Sequence, residues 1–186
     1  MARGEPYQGA YRGAPWREDP AALAAWRDGR TGFPFVDAGL RELAATGRMH
    51  NRARMAAADL LCKRLLIDWS FGEQWLSRLL LDFEPASNIG NWQWAASCGP
   101  AANAPERLLS PVEHSRRFDP EGEWIRRFVP ELARLGAPHI HAPWEAPPEA
   151  LAAAGVELGR DYPPPLVDLK ASRERAIAWH RAIRGA

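Results

Sequence analysis

The sequence predicts an all-α fold, and three observations carry that expectation. No stretch alternates apolar and polar residues as a half-buried strand does, whereas apolar residues recur at helical spacing through much of the chain. Helix punctuation recurs as well: Asp19-Pro20, Asp68 and Asp119-Pro120 suit helix starts, and Gly29, Gly47 and Gly155 suit helix stops. Finally, 46% hydrophobic and 25% charged residues in a chain of 186 match a globular domain large enough to bury a core. The chain is therefore read as one domain, residues 1–186.

Taken in order, residues 1–18 form an irregular, Gly- and Pro-bearing lead-in. A helix opens at Pro20 and stops at Gly29; a second spans 36–46, with Gly47 as its left-handed end. A long helix follows from His50 to Leu66, and Asp68 caps another that reaches Leu81. Pro85 to Asn91 reads as turn-rich, and Gly99 to Ser115 as loops and short turns. Asp119-Pro120 opens a helix through Phe128, stopped by Pro130. A short helix covers 148–154, the prolines at 163–165 form an extended connector, and the last helix runs from Asp168 to Gly185. Trp26, Trp75, Trp124 and Trp179 have apolar neighbours at helical spacing and read as core.

The helix from His50 carries polar groups where a core is expected. At about 100° per residue, Ala58, Leu61, Cys62, Leu65 and Leu66 share one arc, and Asn51, Arg54 and Met55 fall on it too. Arg52, Asp59 and Lys63 fall opposite. Asn51 and Arg54 are thus expected to point inward, and a buried guanidinium needs an acceptor beside it, which Asp82 or Glu84 of LDFE could supply. On spacing alone, Arg54 with Asp82 reads as an ion pair joining two helices, and Asn88 as a turn residue.

Other classes are constrained by composition. A formal charge of +1 offers no global field for nucleic acid, so any basic surface must be local. Two cysteines, Cys62 and Cys98, suit free thiols in a reducing compartment and cannot build a four-cysteine iron–sulfur site. No apolar run approaches membrane-spanning length and the start does not resemble a signal peptide, so a cytoplasmic location is expected. His139 and His141 lack acidic or thiol partners nearby, and no metal is expected.

HNRARM at 50–55, LLIDW at 65–69, the acidic pair Asp82 and Glu84 followed by Asn88, and WQWAAS at 92–97 resemble the FAD-binding region of the DNA photolyase and cryptochrome family. The likeness runs in the family's order from Thr31 to Leu132 and continues more weakly through HAPW at 141–144 and DYPPPLVD at 161–168. Family members are far longer, with an N-terminal α/β antenna domain and a first part of the FAD domain that supplies hydroxyl residues to the cofactor's phosphates; neither is matched here. The resemblance implies a helical FAD-binding domain in which Arg54 and Asp82 lie against the isoalloxazine ring, Glu84 near the ribityl and adenosine part, and Asn88 at flavin N5. Asn51 is implied in both cofactor and DNA contact. Glu84 departs from the family's usual Asp, and Arg48 stands where a Trp is common.

Trp92, Trp69 and Trp16 match the family's electron-transfer chain, ordered outward from the flavin. Met55 and Trp94 match residues lining the cavity for a flipped pyrimidine dimer, and Arg52 and Arg107 match DNA contacts. Asn88 and the HNRARM form point toward repair of cyclobutane dimers. The expected activity is light-driven splitting of these dimers in UV-damaged DNA, single-stranded DNA included, by an electron from reduced FAD. A blue-light or redox-sensing flavoprotein without repair, and a cofactor-free remnant of the fold, are the alternatives. A second copy of the chain in a twofold dimer is expected to cover the face that the unmatched half would occupy; a separate partner, or residues 1–18 and the C-terminal helix, are the alternatives.

Overall fold

Most helix boundaries follow from capping chemistry. The computed structural model describes residues 5–100, 104 and 106–185. Its helices are α1 (Pro20–Arg27), α2 (Pro34–Thr46), α3 (Asn51–Asp59), a π-helical turn (Leu60–Arg64), α4 (Trp69–Leu79), α5 (Pro85–Ala95), α6 (Pro111–Phe118), α7 (Glu123–Phe128), α8 (Ala137–Ile140), α9 (Pro148–Ala154) and α10 (Leu169–Gly185), with short 3₁₀ turns besides. There is no strand among the described residues, only an isolated bridge between Leu158 and Tyr162, and the all-α expectation holds. Gly47 and Gly155 close α2 and α9, each at φ 71°, a conformation that favours glycine. Asp68 caps α4 by accepting from the Ser70 amide at 2.8 Å. No described helix is long and apolar enough to cross a membrane.

Several expectations are corrected. The segment read as turn-rich, Pro85 to Asn91, is most of α5, because Glu84 accepts from the Ala86 and Ser87 amides and Pro85 supplies the first helical residue. The loop expected up to Ser115 ends at Ser110, whose hydroxyl accepts from the Glu113 amide and starts α6. Asp119 does cap a helix, but through the Trp124 and Ile125 amides, so α7 begins at Glu123 and not at Pro120. Trp26 is fully buried and donates to the Ala57 carbonyl at 3.0 Å, whereas Trp75, Trp124 and Trp179 are only partly buried.

The largest correction concerns the helix from His50. Residues 60–64 take π geometry, with the Leu65 amide bonded to the Leu60 carbonyl at 2.9 Å. From Ala56 to Ile67 every residue is buried, so Asp59 and Lys63, placed opposite the core by the periodicity, have no solvent face to occupy. Asn51, expected inward, is exposed in the first turn of α3, and Arg54 and Met55 are half-buried.

The chain forms two compact units. The first comprises residues 1–20, 58–109 and 167–186, the second residues 21–57 and 110–166. In the first, α4 packs on α5, and the Trp92 indole lies against Gly72. A Cβ on Gly72 would fall 2.3 Å from Trp92 Cη2 and 2.7 Å from Leu61 Cδ2, so the contact requires glycine. The π-turn packs on α10, where Arg175 donates to the Arg64 carbonyl at 2.8 Å. In the second unit, α2 packs against α6 and α7, and Ile125, Val129, Leu132, Ile140 and Tyr162 are core residues. Asp37 on α2 ties this unit together, accepting from Thr31, Gly32 and Tyr162.

One buried group of the first unit makes stability depend on pH. His180, 1% exposed, has Nδ1 2.9 Å from the Tyr11 hydroxyl, and burial, reinforced by Lys63 and Arg184 and opposed by Glu106, lowers its pKa to about 4. A depressed histidine favours the folded state above its unfolded pKa, so this contribution is complete above pH ~6.5 and is lost as pH falls to about 4. Asp59 runs the other way: burial raises its carboxyl to about 6 against the pull of Lys63 and Arg64, so its contribution is lost as pH rises through that value. The test is therefore a difference. Parent minus His180→Phe stability, from urea unfolding, should fall by up to ~3 kcal/mol between pH 7 and pH 4; a constant difference would refute the titration.

Candidate functional site

In the first unit the turn between α4 and α5 presents Leu81, 74% exposed, with Asp82 and Glu84 also exposed. Glu84 is committed to its own helix: Oε1 accepts from the Ala86 amide at 3.0 Å and Oε2 from the Ser87 amide at 2.7 Å. Hydrogen bonds from the Ser87 hydroxyl, then from the Ser87 and Ala86 amides, hold its carboxyl below the ordinary range. One turn into α5, half-buried Asn88 donates through Nδ2 to Glu73 Oε1 at 3.0 Å. Glu73 is 4% exposed, so a buried carboxylate fixes which end of the Asn88 amide is which.

Glu73 was absent from the sequence reading, although a signal was there. It lies on the buried face of α4 with Trp69, Gly72 and Leu76, where a carboxylate must have a partner. The same reasoning singled out Arg54 but passed over this position.

Beside these groups, α5 carries a groove of about 550 Å³ lined by residues including Pro85, Ala86, Ile89, Trp94 and Pro100. Trp94 is half-buried at its edge, whereas Trp92 and Trp69 are 4% and 2% exposed. Trp16 is half-buried, with its ring centroid 4.5 Å from that of Trp179. Arg107 is exposed on the segment before α6, and its carbonyl accepts from Lys63 Nζ at 3.0 Å.

The remaining predicted residues belong to the second unit. At the start of α3, Asn51 Nδ2 lies 3.9 Å and Arg52 Nη1 3.7 Å from Met55 Sδ, so the sulfur gathers both side chains. The Arg52 guanidinium lies 4.9 Å from the centroid of the Phe118 ring, and that of Arg117 5.3 Å from it. Phe118 is 38% exposed, so the arrangement is a surface cation–aromatic cluster. Arg54 donates through Nε to the Met49 carbonyl at 2.7 Å, which holds its guanidinium near the helix start.

Chemically, this donor set fits a flavin. An oriented amide and an exposed carboxylate acceptor, those of Asn88 and Asp82, suit a planar heteroaromatic ring whose edge carries N–H and carbonyl groups. Metal chemistry has no such support among the described residues, which hold no cluster of three or more His, Cys, Asp or Glu placed to bind an ion. His141 is engaged otherwise, with Nδ1 2.6 Å from Ser115 Oγ and Nε2 3.0 Å from the Pro120 carbonyl. Both thiols are buried and free; burial raises Cys98 to about 12 and Cys62 well above its ordinary value, so neither is a ready nucleophile.

Comparison with known proteins bears on the family and the fold. Residues 1–182 match the family described as the FAD binding domain of DNA photolyase. The chain is 50% identical over 169 residues to a deoxyribodipyrimidine photo-lyase of Agrobacterium fabrum, covering 91% of this chain and 35% of that protein. It is 46% identical over 160 residues to cryptochrome-2 of Arabidopsis thaliana, covering 86% of this chain and 26% of the relative. The crystal structure of a bacterial class III photolyase from Agrobacterium tumefaciens superposes with a TM-score of 0.94 at 46% identity, over 98% of this chain and 38% of that one. The chain thus spans about a third of the length of the photolyases it matches. With its helical fold and a matching family domain across nearly its whole length, this chain belongs to the FAD-binding domain family of DNA photolyase, whose cofactor is FAD.

Proposed function

We propose that this chain is an FAD-binding photolyase-like protein that splits cyclobutane pyrimidine dimers in DNA with light. The observation that carries the reading is the Asn88 amide, held by the buried Glu73 carboxylate next to the α5 groove that Trp94 borders. Asp82, Glu84 and Asn88 are assigned to the cofactor, as are Arg54 and Asn51. Held by these residues and reduced, FAD would supply light-driven one-electron donation, chemistry that belongs to the cofactor. The protein's share is position and a dry surface: Asn88 presents a fixed amide edge, while Trp94 and Met55 offer apolar faces to an extruded dimer. Asn51, Arg52 and Arg107 contact the nucleic-acid backbone, where guanidinium groups suit phosphate.

Trp92, Trp69 and Trp16 are assigned as electron carriers, since an indole can lose an electron without placing a permanent charge in the core. Trp92→Phe keeps most of the apolar volume against Gly72. The variant is expected to bind FAD like the parent and to lose most light-driven flavin reduction in the presence of an external thiol. Unchanged photoreduction would remove Trp92 from the pathway.

The reading is tested by loading the protein with FAD and illuminating it with UV-irradiated oligothymidylate. Light-dependent loss of dimers supports repair. A flavin-bound protein that leaves dimers intact refutes repair in favour of a sensing flavoprotein, and failure to take up FAD leaves only the helical scaffold. Light scattering of the same preparation across dilutions reads whether a second copy pairs with the chain: a concentration-dependent doubling of mass supports the dimer, and a monomer with full flavin rejects it.

A further inference from the structure

Lys63 is an expensive residue in its place. It is fully buried in the π-turn, yet its Nζ donates to two backbone carbonyls, those of Ala104 at 3.2 Å and Arg107 at 3.0 Å. The adjacent Arg64, also buried, donates through Nε and Nη2 to the Leu109 carbonyl at 3.3 and 2.8 Å, and through Nη1 to the Leu169 carbonyl and Ser172 Oγ. Asp59 is the nearby countercharge, its Oδ2 3.8 Å from Arg64 Nε. Burial lowers the Lys63 pKa while Asp59 pulls it up. A lysine is seldom withdrawn from water without a partner that justifies the desolvation. Here the partners are carbonyls of two residues outside any helix, groups that water could satisfy equally well. What the two bonds provide is position.

Glu106 and Arg107 are both exposed on this segment; Arg107 is its cation, and one of the two carbonyls that Lys63 holds is Arg107's own. That bond fixes the peptide plane next to the Arg107 Cα, and Arg64 fixes the chain two residues further on. The π-turn contributes by giving Lys63 and Arg64, neighbours in sequence, a buried setting from which both reach the same segment. We infer that Lys63 is a positioning residue for Arg107, setting where its guanidinium meets a nucleic-acid phosphate. The inference rests on the assignment of Arg107 as a DNA contact.

The test uses the full FAD-loaded protein and fluorescein-labelled, UV-irradiated oligothymidylate, with binding followed by anisotropy across a potassium chloride series. Arg107→Ala removes one phosphate contact, so the slope of log affinity against log salt should fall by about 0.7 on this single strand. Lys63→Met is expected to weaken binding and reduce the slope by a similar amount, and Lys63→Gln, which keeps a shorter donor, by less. Lys63→Met combined with Arg107→Ala should bind no more weakly than Arg107→Ala alone. If Lys63 serves stability only, its variants melt earlier while their folded fraction keeps the parent's slope and affinity; that result beside a weakened Arg107→Ala overturns the inference alone. Should Lys63→Met not fold, Lys63→Gln decides by the same slope. Parent-like binding by Arg107→Ala overturns both the DNA assignment and the inference.

Discussion

Asp37→Ala is expected to destabilise the fold by about 3–5 kcal/mol, a large fraction of the ~5–15 kcal/mol typical of a domain. Oδ1 accepts from the Thr31 amide at 2.7 Å and the Thr31 hydroxyl at 2.6 Å; Oδ2 accepts from the Gly32 amide at 3.2 Å and the Tyr162 hydroxyl at 2.5 Å. Burial pushes the carboxyl's pKa up, while the bonds from Thr31 and Tyr162 and the nearby Arg41 pull it down. All four donors belong to buried residues, so alanine strands them, at ~1–3 kcal/mol for each donor left without a partner. Asp37→Asn should cost less, about 2 kcal/mol, because one oxygen still serves Thr31 while the new amide opposes the Gly32 N–H. Urea unfolding at neutral pH measures both. A loss below about 1 kcal/mol for Asp37→Ala would mean that this network does not hold the loop after α1 to α2.

Asp82→Ala should behave in the opposite way. Asp82 is exposed on the turn between α4 and α5, where an ion pair or hydrogen bond is worth little, so its removal should change unfolding stability by no more than ~1 kcal/mol. If its carboxylate accepts a charge-assisted hydrogen bond from the cofactor, FAD affinity should drop on the order of 10- to 100-fold, corresponding to ~1.5–3 kcal/mol. Fluorescence titration with FAD and urea unfolding of the same preparations separate the two effects. Parent-like FAD affinity would remove Asp82 from the site, and a parallel loss of stability would recast it as structural.

The contrast between these two aspartates marks what could be read from the chain. Short-range signals were legible: Asp68 caps a helix, Gly47 and Gly155 end theirs, and the blocks around Arg54, Asn88 and Trp92 indicated the family. The start of α5 was missed because Pro, Ser, Asn and Gly favour turns, and the Glu84-Pro85 pair that organises them into a helix is a less common cap than Ser or Asp. The start of α6 at Ser110-Pro111 was hidden in the same way. The π-turn leaves no mark in the periodicity, since a fixed angle per residue cannot register a change in that angle, and an amphipathic arc assumes a solvent face that residues 56–67 lack. Glu73 and Lys63 followed from the same gap. Each is a charged residue whose partners lie far along the chain, at Asn88 and at Ala104 and Arg107, and pairing across such distances becomes visible only once the chain has folded.

The two buried thiols give the first unit a built-in clock. Cys62 and Cys98 both lie in residues 58–109, and the second unit contains no cysteine. Because burial suppresses the thiolate at both positions, an alkylating reagent can modify the native molecule only during excursions that admit water. The pace of adduct formation, read by mass, therefore reports opening of the first unit and is blind to fraying confined to the second. With FAD added, slower labelling would measure how firmly the cofactor keeps that unit shut, in a preparation kept in the dark and without any assay of turnover.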